Sequence, residues 1–204
     1  MNPAKGHRPG EAARKAVLVS EQKGGSLRGF WQALEEGGRH TAVLAELSLE
    51  TRAVCTDLPP ASSWLPSRFL AELQCVTLDL YGRAELRAVS RRGIALSTAR
   101  LMRTLTEGLL RLWGPRPETL FRHVDRFLAG TVRGSTVRAE SVTEHGCAVV
   151  IEFLGARDVP LAMAEGAAGA LEAIFDACGS RGSIEPMQWV TGTPFPTARA
   201  EARW

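Results

Sequence analysis

The hydrophobic period of this chain changes near residue 130. Before that point apolar residues recur at helical spacing. Leu27, Phe30, Trp31 and Leu34 stand at i, i+3, i+4 and i+7, and Leu120, Phe121, Val124, Phe127 and Leu128 repeat the pattern. After it, "STVRAESV" and "CAVVIEFL" are β-prone runs. In the closing "ARAEARW", Ala198, Ala200, Ala202 and Trp204 alternate with Arg199, Glu201 and Arg203, the period of a half-buried strand. Helices gathered ahead of strands predict an α+β fold: an N-terminal helical block packed on an antiparallel sheet, with a β-β-α-β-β C-terminal half.

Local signals place the elements. "AVLVSEQ" (16–22) is expected as a short strand, and Ser26 as the N-cap of the first helix, which "EEGG" ends. A second helix is expected from about Thr41 to Leu49. "CTDLPPASSWLP" is read as a loop, and Ser67 as the cap of a helix carrying Phe69, Leu70, Leu73, Val76 and Leu80. The stretch from Ala84 to Trp113 is helix-compatible, with Gly93 as the expected point of division, and Pro117 and Glu118 start another helix. His145-Gly146 is expected at a hairpin tip, with Gly146 free to take φ > 0. On the helix from Leu161 to Cys178, Leu161, Ala164, Ala168, Leu171, Phe175 and Cys178 form one stripe. Gly166 and Gly169 are expected to permit close approach to a sheet.

At 204 residues the chain is of single-domain size, read as a disordered tail over residues 1–15 and one domain over 16–204. No apolar run reaches the roughly 18 residues of a membrane helix, and no apolar signal core follows the basic N-terminus, so a cytoplasmic protein is expected. Cys55, Cys75, Cys147 and Cys178 form no CxxC pair and are expected as reduced, mostly buried thiols. Between Arg83 and Arg133 eleven Arg face four acids, a surplus of seven that leaves the rest of the chain at −4. Such a stretch suits phosphates or an acidic partner. Aliphatic rather than stacking aromatic residues lie between the arginines, however, and nucleic-acid binding is not expected.

Four segments carry a family likeness: "KGGSLRGFWQAL", "LPPASSWLPSRFLAEL", "LLRLWGPRPETLFRHVDRFLAGT" and "ARAEARW". With the order of elements, they resemble the superfamily that joins the haem-nitric-oxide-binding sensors, the vinyl-reductase-type ligand-binding domains and the TRAPP vesicle-tethering subunits. Within it the chain is most similar to a Myxococcales-restricted family. The resemblance runs from about Val17 to the end of the chain and implies the fold; one fold hosts unrelated activities.

The resemblance also names positions to inspect. In the haem sensors a helix histidine ligates iron, and its position falls here on Phe121. His123 is two residues on, rotated about 200° around the helix. Their Tyr-x-Ser-x-Arg motif, which holds the propionates, reads Phe153-Leu154-Gly155-Ala156-Arg157; Arg157 alone remains. TRAPP subunits carry an acyl chain on a cysteine, for which Cys75 is the nearest candidate by location, and they pair through helices, which implies a homodimer. For zinc, His145 and Cys147 are one weak pair to which Cys178 would have to be added, short of the usual four ligands. No GxSxG, HExxH, GxGxxG or P-loop is present.

The expectation is therefore a non-enzymatic sensor or adaptor, without cofactor or metal, that binds a small apolar ligand or a protein partner, with a haem- or metal-binding gas or redox sensor as the alternative. Leu101, Leu105, Phe121, Phe153, Arg157 and Phe175 are the residues expected to line its ligand site.

Overall fold

The computed structural model describes residue 10, residues 20–98 and residues 116–204. The chain is α+β, as the change of period predicts. A helical block precedes a five-stranded antiparallel sheet, and one long helix lies between them.

The block opens with β1 (Glu21–Lys23) and α1 (Gly24–Glu36). Leu27, Phe30, Trp31 and Leu34 are buried, as their spacing requires. Ser26 is not the cap. The helix starts two residues earlier, because the proline loop supplies the acceptors its first amides need. Gly24 N donates to Ser63 O (2.8 Å), Gly25 N to Ala61 O (3.0 Å), and the Arg28 guanidinium to Leu58 O (2.8 Å).

The single helix expected over 41–49 is two, α2 (His40–Glu46) and α3 (Leu49–Thr56). Ser48 stands between them in extended conformation. Its Oγ accepts from Thr51 N (3.3 Å) and donates to Glu72 Oε2 (2.7 Å), an alternative to helix that short hydroxyl residues offer the backbone. The loop that follows holds an unexpected strand, β2 (Trp64–Pro66). It pairs with β1, which pairs in turn with β3 (Val132–Arg133). Lys23 and Arg133 both stand over the Trp64 ring, at 4.2 and 3.9 Å, and fasten this small sheet by cation–π attraction.

Helix α4 (Arg68–Thr98) breaks at Gly82 (φ 81°, ψ 176°), between the helix read from Ser67 and the stretch read from Ala84, and does not divide again at Gly93. Gly93 stays helical because it is where α1 crosses; a Cβ on Gly29 would lie 2.2 Å from Gly93 O. The expected helix at Pro117 is also divided at His123, into α5 (Pro117–Arg122) and α6 (Val124–Ala129).

In the sheet, β4 (Ser135–Glu140), β5 (Gly146–Phe153) and β8 (Thr197–Arg203) are neighbours in that order. β6 (Ser183–Ile184) and β7 (Gln188–Val190) share the far edge of β8. Val137↔Ile151↔Ala198 and Val149↔Ala200 align across the strands, so one face is apolar. On the other face Arg138 and Arg199 flank Val150 and bind Glu140 and Glu152, which leaves that face charged. Gly146 is no positive-φ tip. It is the first residue of β5, where a Cβ would meet Ala202 O at 2.4 Å; the positive φ falls on Ser141.

Helix α7 (Leu161–Cys178) has the bounds its stripe predicts. Ala164, Ala168, Leu171 and Phe175 pack with the sheet. Gly166 and Gly169 face the other way. Added Cβ atoms there would meet the Gln74 side chain (2.2 Å) and the Arg87 backbone (2.6 Å), so these glycines admit α4 and not the sheet. Two cores result, one in the helical block and one between the sheet and α7.

Candidate functional site

Between the two cores lies a cavity of about 540 Å³. Its two sides differ in character. From the sheet side come Leu120, Val124, Leu128, Val137, Ile151 and Phe153, and α7 adds Ala167, Ala170, Ala173 and Ile174. From the block come Ser26, Gln74, Ser90 and Ser97 on α1 and α4, Ser67 just ahead of α4, and Ser20 and Gln22 at β1. The sheet side is apolar because the inward face of an antiparallel sheet carries its apolar residues. The block side is rich in hydroxyls and amides among a few apolar residues, notably Phe30, Leu70 and Ile94.

Three of these polar atoms, Ser20 Oγ, Gln22 Nε2 and Ser90 Oγ, are buried without a hydrogen-bond partner among the described residues. Each such group costs about 1–3 kcal/mol when left unpaired. The ionisable residue in the described lining is Asp176 at the rim. The Arg91 guanidinium bonds both its carboxylate oxygens and holds its pKa below the usual aspartate range.

The expected site residues are dispersed. Phe153 lines the cavity. Phe121 and Phe175 turn into the sheet-side core instead. Phe121 stacks on Trp204 at 5.2 Å and 2° between planes, and stands 5.8 Å from Phe175. Arg157 is exposed and lines a separate, more open hollow of about 630 Å³ with Asp158, Val190 and residues 192–196. Cys75 is buried in the helical-block core; its neighbour Gln74, not Cys75, lines the cavity. Leu101 and Leu105 lie outside the described residues. The polar side of the cavity was missed because Ser and Gln at helical spacing look like a solvated face; only the fold reveals that α4 turns them inward.

The basic stretch also reads differently in three dimensions. Arg83, Arg87, Arg91 and Arg92 engage Glu165, Glu172, Asp176 and Glu36, so acids outside the stretch neutralise much of it within the fold. Burial pushes the thiols of Cys55 and Cys147 up to about 12 and that of Cys178 to about 11. Among the described residues no group of three His, Cys, Asp or Glu is arranged to hold a metal ion. None of the described helices is long and apolar enough to cross a membrane.

No family model matches this chain, and no curated protein does. Solved structures do. The chain is similar to the Fe(II) unliganded H-NOX protein from K. algicida, with 12% identity, 89% of this chain and 96% of that one covered, and a TM-score of 0.59. A point mutant of that protein gives 0.61, with 12% identity and the same coverage. An oxygen-binding H-NOX domain related to soluble guanylate cyclases gives 0.55, with 12% identity and 89% and 94% covered. The chain therefore has an H-NOX-like fold.

Solved H-NOX domains of this fold are described with haem, and the described residues here do not fit that group. Iron needs an imidazole, thiolate or phenolate ligand, alone or with a weaker one. The described lining of the cavity supplies none of these; outside the described residues, 11–19 and 99–115 contain no His, Cys or Tyr and 1–9 contain His7. Phe121, the position that the resemblance would give the iron ligand, faces a packed aromatic core. Gly155, which the resemblance would set against the haem sensors' serine, adopts φ 67°, a conformation costly for a residue with a Cβ.

Proposed function

We propose that this domain is a non-enzymatic sensor module whose cavity takes a small, largely apolar molecule directly, without haem. The observation that carries the reading is the cavity between the two cores. Its volume falls within the roughly 300–1,000 Å³ of small-molecule sites, and it combines an apolar wall with a few unpaired polar groups. A molecule held there would touch the helical block, the sheet and α7 together, which is what a sensor requires of its ligand. The likeness to H-NOX domains supports the reading at the level of fold.

Native mass spectrometry and a visible absorption scan of the purified protein, before and after addition of hemin, test it. The expected result is a bound apolar mass, or saturable uptake of an uncharged apolar fluorophore, with no Soret band. A stoichiometric Soret band, or failure to take up any apolar probe, overturns it.

A second reading, a dimeric interaction module, has one observation in its favour. Trp189 and Phe195 are each 39% exposed on the β7–β8 hairpin, and Val190 and Phe195 line the hollow that holds Arg157. Sedimentation of the wild type and of Trp189→Ser tests it: a dimer that the substitution dissociates supports this reading, and a monomer in both removes it.

A further inference from the structure

The unpaired polar atoms narrow the class of ligand, given that the cavity is a ligand site as proposed above. Ser20 and Gln22 stand two residues apart at β1, so their side chains leave the same face of the strand. Pairing of Gln22 with both Leu65 and Val132 fixes that strand in the middle of its sheet. Ser90 reaches the same cavity from α4. The three are 5%, 4% and 5% exposed, so bulk water does not satisfy them. An amide nitrogen can only donate, and a serine hydroxyl can donate as well as accept. What the cavity lacks is therefore an acceptor.

An uncharged acceptor fits the described lining. The described lining presents no cation, and its one carboxylate is already held by Arg91. A carboxylate or phosphate head would be buried without a counter-charge, which is costly. At about 30 Å³ per non-hydrogen atom, the cavity holds on the order of 15–20 such atoms. We propose that it takes an uncharged aliphatic alcohol, ketone or ester of that size, whose oxygen accepts from Gln22 Nε2 and a serine hydroxyl, Ser20 or Ser90, while its chain lies on Ile174, Ile151 and Phe153.

Displacement of Nile red by tetradecane, tetradecanol and tetradecanoate at pH 8 tests the inference on the full chain. The expected result is that tetradecanol competes best, and that Gln22→Leu lowers its advantage over tetradecane about tenfold. Ser90→Ala, which removes one oxygen, serves as a second variant and is expected to lower it several-fold; circular dichroism verifies that both variants fold. If tetradecanoate competes best, the uncharged head is wrong. If the alcohol has no advantage, or keeps it in both variants, water satisfies the three groups and the inference falls while the cavity reading stands. If Nile red does not bind, the cavity reading itself has failed.

Discussion

Arg87 Nη2 stands 2.6 Å from Glu165 Oε2, and the Glu165 side chain has no exposed surface. The same guanidinium reaches Glu172 (3.1 Å) and the carbonyls of Ile184 and Glu185, while Glu165 Oε1 accepts from Met187 N (3.0 Å). One residue pair thus joins α4, α7 and the segment from β6 to Met187. Removing Arg87 leaves the buried Glu165 carboxylate to Arg83 (3.2 Å) and Met187 N, and removing Glu165 leaves Arg87 to Glu172 and the two carbonyls, so each loss approaches the about 3–5 kcal/mol of a broken buried pair. Glu165→Ala and Arg87→Ala are expected to lose that much in urea unfolding. A loss below about 1 kcal/mol in both would show that the contact is dispensable.

Two helix crossings depend on glycine. A Cβ on Gly169 would sit 2.6 Å from the Arg87 backbone, and one on Gly29 would sit 2.2 Å from Gly93 O. Backbone cannot rotate away, so Gly169→Ala and Gly29→Ala are expected to cost about 1–3 kcal/mol each. Gly130 has open space and φ −80°, and Gly130→Ala is expected to be neutral or stabilising by up to about 1 kcal/mol. Thermal melts of the three variants measure this; equal melting temperatures would refute the crossing geometry.

Stability is expected to fall in acid. Arg199 and Arg138 hold Glu140 below the usual glutamate range, Arg138 does so for Glu152, and Arg91 does so for Asp176. A carboxylate depressed in the folded state stabilises fully above its unfolded pKa and loses that contribution as pH falls through the folded value. Melting temperature should therefore hold steady from neutral pH down to the ordinary values of 4.5 for Glu and 3.8 for Asp, and drop below them. The drop should be shallower in Arg138→Gln. A melting temperature that rises below pH 4 in the wild type would contradict the assignment.

The order of elements was legible where a periodic pattern met a single neighbour. β8 shows its alternation because one face of it is apolar and the other charged, and α7 shows its ends because its alanine stripe packs with the sheet. What escaped depended on partners distant in sequence. The Ser26 signal lost to carbonyls of the proline loop, and Gly93 was read as a break because its crossing partner, Gly29, lies 64 residues away. The arginine surplus looked like a binding surface because its acids belong mostly to α7. Of the expected ligand residues, Phe153 lines the cavity, whereas Phe121 and Phe175 pack into the sheet-side core, since apolar spacing does not say which of two cores a helix serves.

The cysteines should be silent. With thiols raised to about 12, 12 and 11, Cys55, Cys147 and Cys178 carry almost no thiolate at pH 8. Native protein is expected to leave these three unmodified by an aromatic disulfide reagent over minutes, and denatured protein to react at all four. Rapid modification of any of the three in the native state, mapped by mass spectrometry, would show that its burial is wrong.

Helix α7 meets its neighbours mostly through alanine and glycine, and such a surface is smooth. Knobs and holes that normally fix a helix against sliding are few along it. Arg83, Arg87 and Arg91 stand one turn apart on α4 and engage Glu165, Glu172 and Asp176 in the same order along α7. The position of α7 along its own axis is therefore set twice over, by this row of charges and by the close backbone approach at Gly169, and a molecule pressing on Ile174 from the cavity would press on a helix held by both.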